Sequence, residues 1–239
     1  MAYLQMFKDE TNDYEIGIDE AGRGPMFGRL YVAAVVIPKD GSFFHKDIKD
    51  SKKIKSIKKM KECYEYIINN CISYSIQHIE HDVIDKINIR QAVFKGMHQS
   101  IKEICKNENI NHSKKYILVD GNDFQPYVYF DGTLQDFVTI PYETVEKGDD
   151  TYMSIAAASI LAKYSRDEYI RNLCETYPEL VTKYSINTNM GYGTQKHLEG
   201  IHTHGISQWH RITYGACKGK ALHIINPPSP LNTAADDDA

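Results

Sequence analysis

The sequence predicts an α/β fold, a mixed β-sheet flanked by helices with a small helical part at the C-terminal end. Three observations predict it. Strand-like segments crowd residues 14–79, two of them joined by a glycine- and proline-rich turn. Beyond residue 80, short apolar strands alternate with segments of helical spacing. Finally, acidic residues stand at strand ends and at a helix start, where such a sheet collects its chemistry.

Residues 14–20 read as a strand, because Tyr14, Ile16 and Ile18 alternate before the pair Asp19-Glu20. Gly22-Arg23-Gly24-Pro25 then turns the chain, and residues 30–37 form an uninterrupted apolar run, so an antiparallel hairpin is predicted. Pro38-Lys39-Asp40-Gly41 closes it. Residues 55–70 carry apolar side chains at helical spacing, and residues 73–79 alternate like a third strand. One helical pattern covers residues 82–107. Residues 116–119 read as a strand ending on Asp120-Gly121, and residues 138–145 as another. A helix is predicted over residues 152–174, with Asp149, Asp150 or Thr151 available to cap it. Its small segment Ala156-Ala157-Ala158-Ser159 would let it lie close to the sheet. The last quarter, with Gly191, Gly193, Gly200 and Gly205, reads as short helices and loops. Pro227-Pro228-Ser229-Pro230 marks a boundary, and the residues after it are expected to be disordered.

Composition narrows the function classes. At 239 residues the chain suits one large domain, or one with a small appendage, and needs no disulfide or zinc to fold. Hydrophobic residues at 42% and charged residues at 25% exclude wholesale disorder and fibrous repeats. The run at residues 30–37 is too short to span a bilayer, so no membrane partner is expected. Lys8, Asp9 and Glu10 leave no secretory apolar core, so a cytoplasmic location is expected. The five cysteines are scattered without a C-x-x-C pair, which predicts reduced thiols, mostly in the core. Net charge is −4, but residues 46–61 hold eight lysines against two aspartates. Such a run is either a solvated helix face or a phosphate-binding patch.

Several motifs fail on inspection. Gly22-Arg23-Gly24 is not a dinucleotide fingerprint, since Pro25 follows, Gly28 is one position late and a strand comes next. No G-K-[ST] loop and no G-x-S-x-G occurs. His197, His202, His204 and His210 lack a zinc-ligand spacing and read as surface or hydrogen-bonding histidines. Asp19, Asp120 and Asp149 are more informative. Carboxylates meeting at one sheet edge repel unless cations intervene, and oxygen-only donors suit Mg²⁺ or Mn²⁺. Two such ions about 4 Å apart organise phosphoryl displacement. Lone aspartates also cap and turn, so both readings stand at this level. Adjacent strand residues point to opposite faces, so Asp19 and Glu20 share a site only if the strand bends there.

Seven segments, in order, resemble type 2 ribonuclease H (ribonuclease HII). They are IGIDEAGRGP (16–25), DSKKI (50–54), IDKINI (84–89), ILVDGN (117–122), KGDDTYMSIAAASILAKYSRD (147–167), GYGTQKH (191–197) and HGISQWHRITYG (204–215). The resemblance implies a ribonuclease H-like core over residues 14–175 and a C-terminal helical groove segment over 176–226, while the proline-rich boundary leaves residues 227–239 as an acidic tail expected to be disordered. It implies that Asp19, Glu20, Asp120 and Asp149 are the catalytic carboxylates and hold two ions, Mg²⁺ or Mn²⁺; the match to K-G-D favours Asp149 over Asp150. By the same resemblance Gly22, Arg23 and Gly24 read the ribonucleotide, and Tyr192 packs on the RNA–DNA junction. Ser51, Lys52, Lys163, His210 and Arg211 fall in segments that line the groove. The implied substrates are RNA–DNA hybrids and duplex DNA carrying single ribonucleotides. The DNA would be cut 5′ to the ribonucleotide, leaving 3′-hydroxyl and 5′-phosphate ends, in service of replication and repair. A monomer is expected, and a protein partner is left open. A DNA-directed nuclease on the same fold and a catalytically inactive nucleic-acid-binding protein are the alternatives. One departure stands out: Arg29 replaces a proline and adds charge beside the site, which puts the preference between the two substrates in question.

Overall fold

The computed structural model describes residues 4–8, 11–44, 47–48, 51, 54, 56–111 and 113–228. The tail from residue 229, together with Lys52 and part of the lysine-rich run, lies outside the described residues. Strands β1 (Tyr14–Ala21) and β2 (Leu30–Val36) form the antiparallel hairpin the sequence predicts. Helix α1 (Ile57–Asn70) leads to β3 (Ser73–Ile79), and Ser56 caps it by accepting from the Lys59 N–H.

The single helix expected over residues 82–107 is two, α2 (His81–Ile87) and α3 (Ile89–Ile104). Asn88 breaks the run. It sits at φ 65°, and its side chain accepts from the Gln91 N–H, ending one helix while capping the next. A short helix α4 (Glu108–Asn111) precedes β4 (Lys115–Asp120). The strand expected over residues 138–145 is also divided. Its first part joins the hairpin β5 (Val128–Asp131) and β6 (Asp136–Thr139), and its second is β7 (Tyr142–Val145), paired with β4. Pro141, which has no N–H to give a ladder, stands at the break, and its carbonyl accepts from the Ile117 N–H at 2.9 Å. None of Asp149, Asp150 and Thr151 caps the long helix α5 (Met153–Thr176). Residues Gly148–Asp150 form a 3₁₀ turn, and Tyr152 occupies the cap position without a side-chain bond. Helices α6 (Glu179–Tyr184), α7 (Ile186–Asn189) and α8 (Gln195–His204) complete the chain.

The main sheet runs β3-β2-β1-β4-β7, with β1 antiparallel to β2 and parallel to β4. One face carries Ile16, Ile18, Val32, Ala34 and Ile117 against Val93, Met97 and Ile101 of α3. The other carries Ala33 and Val35 against Cys63 and Ile67 of α1 and Ala156, Ala157 and Ile160 of α5. A third cluster joins Ile170 and Cys174 at the end of α5 to Leu180, Tyr184, Ile186 and Ile201, and reaches back to Met26 and Phe27. Helix α5 ends at Thr176, one residue past the boundary expected at 175, and packs on both parts. The cysteines are free, with Cys63, Cys174 and Cys217 buried.

Gly17 sets the spacing between β1 and α5. A Cβ there would lie 2.3 Å from the backbone carbon of Ser154, so helix and strand meet backbone to backbone. Gly17→Ala is expected to destabilise the protein by about 3 kcal/mol, the scale of forced overpacking. A urea denaturation curve checks this, and an unchanged midpoint would show that the contact does not fix the spacing.

Candidate functional site

Pairing between β1 and β4 ends at Ile18 and Val119, whereas β1 stays paired with β2 through Ala21. Asp19 and Glu20 therefore stand beside a notch at the sheet edge. Both line one cleft of about 450 Å³, together with Gly22, Arg23, Gly24, Ser51, Lys163 and Tyr192. The ladder to β2 advances one residue at a time through both, so the bend expected there is not made by a bulge in the strand. The lost neighbour opens the space instead.

Asp19 is buried, and its carboxyl is pushed well above the usual carboxylate range. Burial is the main cause, followed by repulsion from Glu20 and then from Asp120. A hydroxyl bond from Ser159 and a 2.7 Å bond from the Glu20 N–H act the other way. Asp120, at the end of β4, accepts from the Gly148 N–H at 2.8 Å, which ties the strand to the turn carrying Asp149. Asp149 is buried and Asp150 is exposed, so Asp149 is the turn carboxylate held in the interior. Asp120 and Asp149 are not among the residues that line the cleft. Among the described residues no three acidic, histidine or cysteine side chains are already closed into a coordination shell. The donor set nevertheless fits a hard divalent cation: it offers oxygens only, and Asp19 carries the repulsion that such a charge would relieve.

Helix α5 supplies the opposite wall. Ser159, Lys163, Arg166 and Asp167 share one face of it, at helical spacing, and all line the cleft. Ser159 bonds to the buried Ser51 hydroxyl at 2.9 Å, and Lys163 pairs with Asp167 at 2.7 Å. Of these, Ser159, Arg166 and Asp167 escape the sequence reading. Their signal is the four- and three-residue spacing from Ser159 through Lys163.

The turn over residues 22–28 is fixed from below by two buried guanidiniums. Arg211 donates to the carbonyls of Gly22 (2.7 Å), Arg23 (3.2 Å) and Gly28 (3.0 Å). Arg166 donates to Phe27 (3.3 Å) and Met190 (2.9 Å). Gly22 sits at φ 99°, and a Cβ on it would fall 2.4 Å from the Arg166 Nε, so no larger residue fits. A 2.9 Å bond from the Met26 N–H to the Gly191 carbonyl then joins this turn to the one bearing Tyr192. The Tyr192 ring is half exposed and lies 3.5 Å from the place a Gly24 Cβ would take.

Three expectations are corrected. Arg211 is fully buried and His210 is 1% exposed, so neither lines the groove; both support it from within. The His210 ring is bonded to His197 and Ser207, while Arg211 spends its donors on the turn carbonyls. Arg29 places no free charge at the cleft, because it pairs with Glu80 at 2.7 Å and stacks on Tyr169. Lys52 lies outside the described residues.

A family model described as ribonuclease HII matches residues 16–217. The chain is 41% identical over 205 residues to a ribonuclease HII of Parabacteroides distasonis, covering 86% of this chain and 92% of that one. Its fold is similar to that of ribonuclease H2 from Pyrococcus horikoshii OT3, with a TM-score of 0.64 and 22% identity over 85% of this chain and 95% of that one. It is also similar to Bst-RNase HIII in complex with Mn²⁺, with a TM-score of 0.57 and 16% identity over 86% and 68% of the two chains.

The buried imidazoles give the molecule a pH dependence. Burial lowers His197, while burial and then the neighbouring His197 lower His210 from 6.5 to about 3. The unfolded chain takes up these protons near pH 6.5 and the folded chain does not. Stability present above that pH is therefore lost as pH falls below it, by up to about 1.4 kcal/mol per pH unit for each ring. Melting temperatures from pH 7 to 5 should fall more steeply for the wild type than for His210→Gln, a comparison in which the opposing contribution of Asp19 cancels. Parallel profiles would mean that His210 is charged in the folded protein.

Proposed function

The chain belongs to the ribonuclease HII family, and from that premise we propose that it is a divalent-metal-dependent enzyme acting on RNA–DNA hybrids and on duplex DNA that carries single ribonucleotides. The chain is a hydrolase, an endonuclease of the ribonuclease H type. One observation carries the finer reading. Asp19, repelled by both Glu20 and Asp120, lines with Glu20 the same cleft that Gly22, Gly24 and Tyr192 line.

Asp19, Glu20, Asp120 and Asp149 would hold two Mg²⁺ or Mn²⁺ ions, which when bound supply the charge that activates a water and steadies the leaving 3′ oxygen. The protein's own groups position the substrate. The glycines let the backbone of residues 22–24 approach a sugar closely enough to sense a 2′-hydroxyl, the one group that distinguishes RNA from DNA there. Tyr192 offers a half-exposed ring beside Gly24, suited to packing on the junction. Arg23 and Lys163, both on the cleft, suit phosphate contacts. Cleavage would fall 5′ to the ribonucleotide and leave 3′-hydroxyl and 5′-phosphate ends, the first step in removing ribonucleotides left by replication.

The test is cleavage of end-labelled duplex DNA containing one ribonucleotide, beside an RNA–DNA hybrid and an all-deoxy duplex, in Mg²⁺ and in Mn²⁺. Both ribonucleotide substrates should be cut and the all-deoxy duplex spared. Cutting of the all-deoxy duplex would identify a DNA-directed nuclease, and no cutting at all a binding protein. Asp19→Asn should lower turnover by about a thousandfold, roughly 4 kcal/mol of barrier, with the fold intact. Tyr192→Ala should cost about 1–3 kcal/mol on the single-ribonucleotide substrate. An equal loss on long hybrids would refute its junction role.

A further inference from the structure

Four groups beneath the tyrosine turn form a chain of hydrogen bonds whose direction is fixed at both ends. The Ser207 backbone N–H can only donate, and it lies 2.9 Å from the His210 Nδ1. That nitrogen therefore accepts, and the proton of the neutral ring sits on Nε2. At the other end, the Tyr192 carbonyl can only accept, and it lies 2.9 Å from the His197 Nδ1. That nitrogen therefore carries the proton, which leaves the His197 Nε2 bare. The two Nε2 atoms face one another at 3.0 Å, one protonated and one not. The Ser207 hydroxyl, 2.8 Å from the same His210 Nδ1, then donates to it as well, and all four contacts are satisfied by this single arrangement. An added proton on either ring would set two N–H groups against each other.

The histidines are packed to hold it. His197 is fully buried and His210 is 1% exposed. The His210 ring stands edge-on to Phe27, in the turn over residues 22–28, at 5.1 Å, and to Tyr184 at 5.0 Å. The pair thus touches both parts of the recognition surface. It bonds to the backbone of Tyr192 and packs under the turn that presents Gly24.

We propose that His197 and His210 are positioning residues, a directed relay that holds the Tyr192 carbonyl and so seats its ring beside Gly24 for selection of a lone ribonucleotide. The inference rests on the reading of Tyr192 as the residue that favours that substrate. Its measure is the ratio of cleavage rates on single-ribonucleotide duplex and on long RNA–DNA hybrid.

Two variants separate positioning from bulk packing. His197→Asn keeps an N–H where Nδ1 lies and retains the bond to Tyr192. His197→Gln reaches the Nε2 position but takes the side-chain donor from the Tyr192 carbonyl, which keeps only the 2.8 Å bond from the Thr194 N–H. His197→Gln should lower the rate ratio about tenfold, the scale of one lost buried hydrogen bond, while His197→Asn keeps it within about threefold. On the Tyr192→Ala background, His197→Gln should change the ratio little further, because both act through one ring. Equal losses by both variants on both substrates would overturn the relay. If Tyr192→Ala itself leaves the ratio unchanged, the reading of Tyr192 fails. The relay is then judged, as it is if the His197 variants do not fold, by imidazole ¹⁵N spectra of the wild-type protein. Protonated Nδ1 on His197 with protonated Nε2 on His210 supports it, and any other pair of tautomers overturns it.

Discussion

The contact between Gly17 and the start of α5 organises the molecule. Because strand and helix touch through their backbones, the helix is held at a separation no side chain could widen without shifting one of them. Two consequences follow at its two sides. The helix face bearing Ser159, Lys163, Arg166 and Asp167 is set over the open edge beyond Ile18. The turn that enters the helix, Gly148–Asp150, is brought against the end of β4, where Gly148 bonds to Asp120. A single close approach therefore sets where three chain segments deliver their carboxylates.

The turn over residues 22–28 obeys a different logic. Burying a guanidinium is costly unless its donors find acceptors, and two are buried here within one small region. Their partners in this turn are neutral carbonyls, of Gly22, Arg23, Phe27 and Gly28. Charge-assisted bonds to carbonyls are strong and directional, so the turn is held in one shape before any substrate arrives. Such preorganisation suits a task in which one hydroxyl must be distinguished from its absence.

Much of this was legible in the sequence. Alternation placed β1 and β3, and an uninterrupted apolar run placed β2, each within a residue or two, because half-buried strands keep a period of two and a strand covered on both faces is apolar throughout. The position of Asp19 and Asp120 at strand ends pointed to a shared edge before any resemblance was weighed. The breaks at Asn88 and Pro141 were not legible, since neighbouring apolar residues keep a plausible pattern across them. His210 and Arg211 misled for a physical reason. A basic side chain seeking acceptors looks the same in sequence whether those acceptors are phosphates outside or carbonyls inside. Arg29 misled similarly, because its partner Glu80 is far along the chain and no local pattern announces the pair.

The anchoring of the turn by Arg211 also bears on how the protein comes into being. Gly28 and the arginine that holds it are 183 residues apart. Closing so long a loop is entropically unfavourable until most of the intervening chain has packed. During synthesis the strand with Asp19 and Glu20 emerges early, yet the turn beside it keeps no fixed shape until nearly the whole described chain has left the ribosome. A nascent chain that stops short of Arg211 thus carries the acids without the anchored turn beside them, so the arrangement arrives in one step rather than growing with length.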